Sequence, residues 1–102
     1  MNAELFKCKV VINPKNGWSM GPQCVLTLTP SEVRFNTNPP LAIPYGQINV
    51  ASVRQFTDGV LEHGGQRTVF RGASIWSGAL EAQRLIRIIN RARVEGTRFL
   101  EN

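Results

Sequence analysis

Cys8, Cys24, His63 and Asp58 are the side chains from which a reactive centre would have to be assembled in this chain, which holds one histidine and one aspartate in 102 residues. A thiolate beside an imidazole is a nucleophile for acyl or group transfer. That chemistry needs an accessible thiol in electropositive surroundings. Cys8 and Cys24 instead fall at alternate, inward-looking positions of two separate strand patterns, where a free thiol behaves as a small hydrophobe. Both are read as reduced and structural, since two cysteines are too few for a disulfide scaffold. His63 reads as a strand-end surface residue and Asp58 as half of an Asp58-Gly59 hairpin turn. The pair Gly64-Gly65 is also a turn, because no strand-to-helix junction follows it to make a phosphate loop. With no Cys-x-x-Cys pair and no His/carboxylate cluster, the chain is expected to be noncatalytic and to carry no metal or cofactor.

The other chemistry on offer is positive charge. Twelve Lys and Arg against seven Asp and Glu leave a formal net charge of +5 and a pI near 10.0, which favours anionic partners without choosing among them. Lys7 and Lys9 share the outer face of the first strand pattern, and Lys15, Trp18 and Met20 lie in the loop after it. Together they could meet a lipid headgroup. Arg84, Arg87, Arg91, Arg93 and Arg98 stud the last helix and the residues after it. No stacking aromatics are interleaved with that row and no nucleic-acid motif is present, so it reads as a solvated face and nucleic acid is not an expected partner.

The elements that must position these residues are unevenly distributed. Short alternating segments divided by Pro, Gly and Asn run to about Gly72, and one amphipathic helix, Gly78 to Glu95, comes last. In it Ala82, Leu85, Ile86, Ile89 and Ala92 recur at three- and four-residue spacing as one apolar stripe. Ser77 suits its N-cap and Gly96 its end. Phe6, Cys8, Val10 and Ile12 make one inward face; Cys24, Leu26 and Leu28 another. Thr29-Pro30-Ser31 turns the chain into Val33 and Phe35, and Leu41 and Ile43 form a short edge strand after Pro39-Pro40. The parity of Ile48 and Val50 conflicts with that of Val53, which predicts a bulge near Ala51-Ser52. Val60 to His63 and Arg67 to Arg71 complete about seven strands.

The expected fold is therefore mainly β, about seven antiparallel strands in an open barrel or orthogonal sandwich capped by one C-terminal helix. One domain spans residues 1–102, with a core at about 4–96 and a tail at 97–102. No apolar run reaches the length of a membrane span and the first residues lack the pattern of a secretory leader, so a cytoplasmic protein is expected, at the inner membrane face if it meets lipid.

Strands in this number closed by a terminal helix resemble the pleckstrin-homology-like superfold. Val25-Leu26-Thr27-Leu28-Thr29-Pro30-Ser31-Glu32-Val33-Arg34-Phe35 is similar to the Leu-x-Leu-Thr…Leu-x-Phe hairpin of phosphotyrosine-binding domains of the insulin-receptor-substrate and Dok type. Ile43-Pro44-Tyr45, Val53-Arg54-Gln55-Phe56 and Val60-Leu61-Glu62-His63-Gly64-Gly65-Gln66-Arg67 resemble further pieces of that family in the same order, over about residues 4 to 95. The resemblance implies a docking module. A peptide or protein tail would add as an extra strand beside the fifth strand and the helix, against Val53 and Phe56. It implies further that Arg54 and Arg67 hold a phosphotyrosine where the peptide carries one, since guanidinium groups bond phosphate in bidentate fashion. Likeness to phosphoinositide-binding members implies the alternative partner, an anionic membrane surface met by Lys7, Lys9, Lys15 and Trp18. A purely architectural module in a larger assembly is the third reading.

Overall fold

In the computed structural model the described residues are 3–14, 22–74 and 77–101. They form seven strands, β1 (Phe6–Ile12), β2 (Gln23–Leu28), β3 (Glu32–Phe35), β4 (Leu41–Pro44), β5 (Ile48–Arg54), β6 (Asp58–His63) and β7 (Gln66–Gly72), followed by one helix, α1 (Gly78–Glu95). All pair antiparallel in one open sheet of order β4-β3-β2-β1-β7-β6-β5. The two edge strands, β4 and β5, are joined by a single 3₁₀ turn, Tyr45–Gln47. A three-residue link between opposite edges requires the sheet to curl until those edges meet at one corner. A seven-stranded antiparallel sheet capped by a C-terminal helix is compatible with the pleckstrin-homology-like fold.

The curl has an inside, and the inward parities of the strands fill it. Val10, Ile12, Cys24, Leu26, Leu28, Val33, Phe35, Ile43, Ile48, Ala51, Leu61 and Phe70 form one buried cluster, closed by Leu85, Ile86 and Ile89 of α1. The apolar stripe of the helix thus covers the sheet, as its spacing predicts. Ser77 stands at the N-cap without a side-chain bond. Gly96 ends the helix at φ 82°, its N–H donating to the Ala92 carbonyl. The chain then folds back instead of leaving as a tail: Thr97 is buried, Leu100 packs against the core, and Phe99 lies under Arg91 with the guanidinium 4.0 Å from the ring centre.

Three local expectations are corrected. The β5–β6 turn is not at Asp58-Gly59. It lies at Gln55 and Phe56, both at positive φ (53° and 65°), and Asp58 is already the first residue of β6. Gly59 belongs in the strand because the ring of Phe70 fills the space of a side chain there: a Cβ would meet it at 2.5 Å. The bulge falls between Ile48 and Val50, at Asn49, not at Ala51-Ser52. It reverses the parity early, so Ala51 points inward and Val50 is left 41% exposed. His63 is buried, its Nε2 2.8 Å from the Thr68 hydroxyl.

The two tight turns of this hairpin pair make an instructive contrast. His63 and Gln66 are joined by Gly64 and Gly65 at φ 52° and 76°, which glycine adopts freely. Gln55 and Phe56 take up nearly the same angles without that freedom, in a region where bulky side chains are strained.

Candidate functional site

The expected phosphate ligands do not meet. Arg54 closes β5 and Arg67 opens β7, and each is held by a different carboxylate of the strand between them. Arg54 Nη2 is 3.2 Å from Asp58 Oδ2, and Arg67 Nη2 is 3.0 Å from Glu62 Oε1. Asp58 and Glu62 sit four residues apart on β6, about 13 Å at the rise of a strand. Arg67 lines a shallow cleft of about 350 Å³ with Asn49, Glu62, His63, Gly65 and Gln66, to which Arg54 does not contribute.

Asp58 is the centre of a cross-strand ion cluster. Its side chain is 3% exposed and its Oδ1 accepts from Arg71, with Nε and Nη2 each at 2.8 Å, while Oδ2 faces Arg54. An aspartate in a hairpin turn would be solvated. This one is buried because the arginines of the neighbouring strands supply the charge that makes burial tolerable.

The cysteines and the histidine are engaged separately. Both thiols are free. Cys8 donates to Glu81 Oε2 at 3.2 Å, and burial first, then the bond and negative charge of Glu81, push its pKa from 9.0 up to about 12 against a smaller opposing effect of Arg84. Burial raises Cys24 as well. These thiols hold their protons, the reverse of what an activated nucleophile requires. Among the described residues no group of three or more His, Cys, Asp and Glu could hold a metal ion, and no helix is long and apolar enough to cross a membrane.

The lipid-facing set is divided. Lys7 is ion-paired to Glu4, Lys9 is exposed on the same face of β1, and Lys15 and Trp18 lie outside the described residues.

The β5 edge and the flank of α1 beside it carry the most unusual arrangement. The helix runs alongside β5 and binds carbonyls of that strand and of the turn after it with side chains. Arg93 Nη2 donates to Ile48 (2.9 Å) and Asn49 (3.2 Å), Asn90 Nδ2 to Ala51 (2.9 Å), and Gln83 Nε2 to Phe56 (2.9 Å). The Asn49 bulge explains the first two, since a bulge breaks the ladder and leaves carbonyls for another donor. Arg93 is therefore not part of a solvated arginine row; Asn90 Oδ1 also accepts from it at 2.8 Å. In an antiparallel pair, alternate residues turn both main-chain groups away from their partner. The Ala51 carbonyl is turned to the helix, so Val53, two residues on, presents its N–H and C=O to the same open side. Next to that gap stand the two predicted apolar contacts, Val53 at 37% exposure and Phe56 at 82%.

Gln83, Asn90 and Arg93 were not anticipated as site-forming residues. The signal was available: Gln83 and Asn90 are two turns apart at the border of the apolar stripe, the position from which an amide can reach a sheet edge. Comparison with protein-family models, with curated proteins and with solved structures finds no match.

Proposed function

We propose that this chain is a noncatalytic docking module of the phosphotyrosine-binding type that receives a peptide or protein tail by strand addition at the open stretch of β5. The observation that supports it most directly is the gap in the helix clasp. Gln83 and Asn90 take the carbonyls on either side, and between them Val53, of the same strand parity as Ala51, turns its N–H and C=O away from β6 beside the projecting Phe56, with no partner among the described residues. Edge main-chain groups give affinity in this mode and neighbouring side-chain contacts give selectivity. The turn adds support: a bulky residue at positive φ persists only where its surroundings hold it, and here Gln83 holds the Phe56 carbonyl while the ring faces solvent.

Phosphate recognition is not part of this reading. Arg54 and Arg67 each have a carboxylate partner and stand at opposite ends of β6. A phosphotyrosine could recruit one of them only by displacing its partner.

The test is a substitution that removes one donor. Val53→Pro deletes the N–H that faces away from β6, a position where proline is tolerated in an edge strand. Peptides selected from a displayed library on the native protein should lose binding to Val53→Pro and weaken on Phe56→Ser, with both variants folded by circular dichroism. Selected peptides that bind Val53→Pro as well as the native chain would remove strand addition from the account.

A further inference from the structure

The outward side of α1 is a different surface from the β5 gap, and two features of it belong together. Leu80 and Val94 are 67% and 86% exposed, among the largest apolar exposures of the described residues. They lie fourteen residues apart, four turns or about 21 Å, on one line of the helix. Between them on the same side project Arg84, Arg87 and Arg91. Among the described residues Arg84 and Arg87 have no carboxylate partner. The Arg84 guanidinium rests over the Phe6 ring at 5.4 Å, and Arg91 is paired with Glu95 at 3.0 Å while stacked on Phe99. Glu81, three residues before Arg84 on the helix, is turned to Cys8. Arg98 follows, exposed, just past the helix end.

We infer that this ridge is a docking surface for an anionic lipid bilayer, with α1 lying flat, its arginines among the headgroups and Leu80 and Val94 entering the boundary of the acyl region. Charge complementarity selects an anionic partner, and shape selects among anions. The surface is one exposed face of a single helix, and none of its residues lines the cleft described above. Its apolar members are aliphatic side chains at the two ends, which gain from entering hydrocarbon but cannot stack on nucleic-acid bases. Basic residues interspersed with projecting aliphatic ones are the composition of an interfacial helix. Lys7 and Lys9 are on the outer face of β1, the face opposite to the one α1 covers, and take no part.

Co-sedimentation with vesicles of phosphatidylcholine containing phosphatidylserine, and with phosphatidylcholine vesicles alone, tests the assignment. The native chain should bind the first and not the second. Each arginine near a charged bilayer is worth roughly fivefold in partitioning, so Arg84→Gln with Arg87→Gln should weaken binding about 25-fold. Leu80→Ser with Val94→Ser should also weaken it. Lys7→Gln with Lys9→Gln, which removes the same charge elsewhere, should bind like the native chain, and so should Val53→Pro. All four substituted helix positions are at the surface, so folding is not at stake. Absence of binding to phosphatidylserine vesicles overturns the inference. So does equal weakening by the lysine pair, which would reduce the effect to net charge, or an unchanged Leu80/Val94 variant with native binding displaced by single-stranded DNA, which would make the ridge a nucleic-acid surface.

Discussion

Replacing Asp58 by Asn tests the part of the structure that departs furthest from what the sequence implies. The substitution keeps the shape of the side chain and removes its charge. In the native fold the carboxylate is 3% exposed and accepts two bonds of 2.8 Å from Arg71 and one of 3.2 Å from Arg54, with Arg71 only 15% exposed. The asparagine amide has one acceptor oxygen, and its NH₂ would face donors it cannot accept from. Two guanidinium groups would remain beside each other without the Asp58 carboxylate that both now face, one of them largely desolvated. Breaking a buried pair by removing one partner costs about 3 to 5 kcal/mol. We take about 3 kcal/mol, because Arg54 is 44% exposed and can turn to water. For a chain of this size each kcal/mol lowers Tm by about 4 to 8 °C, so Asp58→Asn should melt roughly 12 to 24 °C below the native protein.

Urea titrations followed by circular dichroism supply the free energy, and two further variants make the reasoning refutable in detail. Arg71→Ala should approach the loss of Asp58→Asn, since it leaves the buried carboxylate with only its weaker partner. Arg54→Ala should cost less than about 1 kcal/mol, as expected for a half-exposed pair. A loss below about 0.5 kcal/mol for Asp58→Asn would place Asp58 among ordinary surface residues and restore the turn that its Asp-Gly sequence implies. An Arg54 variant more damaging than the Arg71 variant would show that the pairing is assigned to the wrong arginine.

Ile89→Ala, at a fully buried position beneath the sheet, should cost about 2 to 5 kcal/mol in the same titration; a value under about 0.5 would mean that α1 is not seated on the core. Gly59→Ala places a methyl where Phe70 approaches to 2.5 Å and should destabilise by about 1 to 3 kcal/mol despite the better strand propensity of alanine; no loss would show that the ring is free to move. Folding holds Cys8 at about 12 from 9.0 and Tyr45 at about 12 from 10.0, so the unfolded chain gives up these protons first as pH rises. Stability should then be flat with respect to these groups below about pH 9 and fall between about 9 and 12, and Tyr45→Phe should remove the part of the decline that begins near 10; an unchanged slope in that variant would contradict the assignment.

The helix was legible from its first residue to its last because a stripe of Ala82, Leu85, Ile86, Ile89 and Ala92 can be buried only by a helix, and Gly96 supplies the left-handed residue that ends it. The strands were legible for a similar reason, alternation bounded by Pro and Gly. The local expectations that the structure corrects are ones that depended on which residues face each other across neighbouring strands. The Asp58-Gly59 pair matches a common hairpin turn, but each residue serves a neighbour that the sequence does not place beside it: Asp58 answers Arg71, thirteen residues away, and Gly59 makes room for Phe70. The strained turn was displaced to Gln55-Phe56 accordingly. His63 looked like a surface residue until β7 brought Thr68 against it. Arg54 and Arg67 lie where the resemblance puts the phosphate ligands, yet their separation is set by the length of β6, which runs straight between them.

The same geometry limits how tightly a peptide can dock. Asn90 and Gln83 already occupy the carbonyls of Ala51 and Phe56, so an added strand finds few outward main-chain groups of β5 open, the N–H and C=O of Val53 among them. Two hydrogen bonds at about 0.5 to 1.5 kcal/mol each give roughly 1 to 3 kcal/mol, and burying an exposed side chain the size of Phe56 adds about 1.5 to 3. The sum, about 2.5 to 6 kcal/mol before the cost of ordering the peptide, corresponds to a dissociation constant of about 1 mM or weaker once that cost is paid. Contacts of this strength become selective when a second interaction raises the local concentration of the partner into the millimolar range, and confinement at a common surface does that without any new contact at the edge. The basic ridge with projecting Leu80 and Val94, proposed above to meet an anionic bilayer, is where such confinement would act. If both proposals hold, a peptide tethered to phosphatidylserine vesicles should bind far more tightly than the same peptide free in solution, and equal affinity in the two settings would uncouple the gap from the ridge.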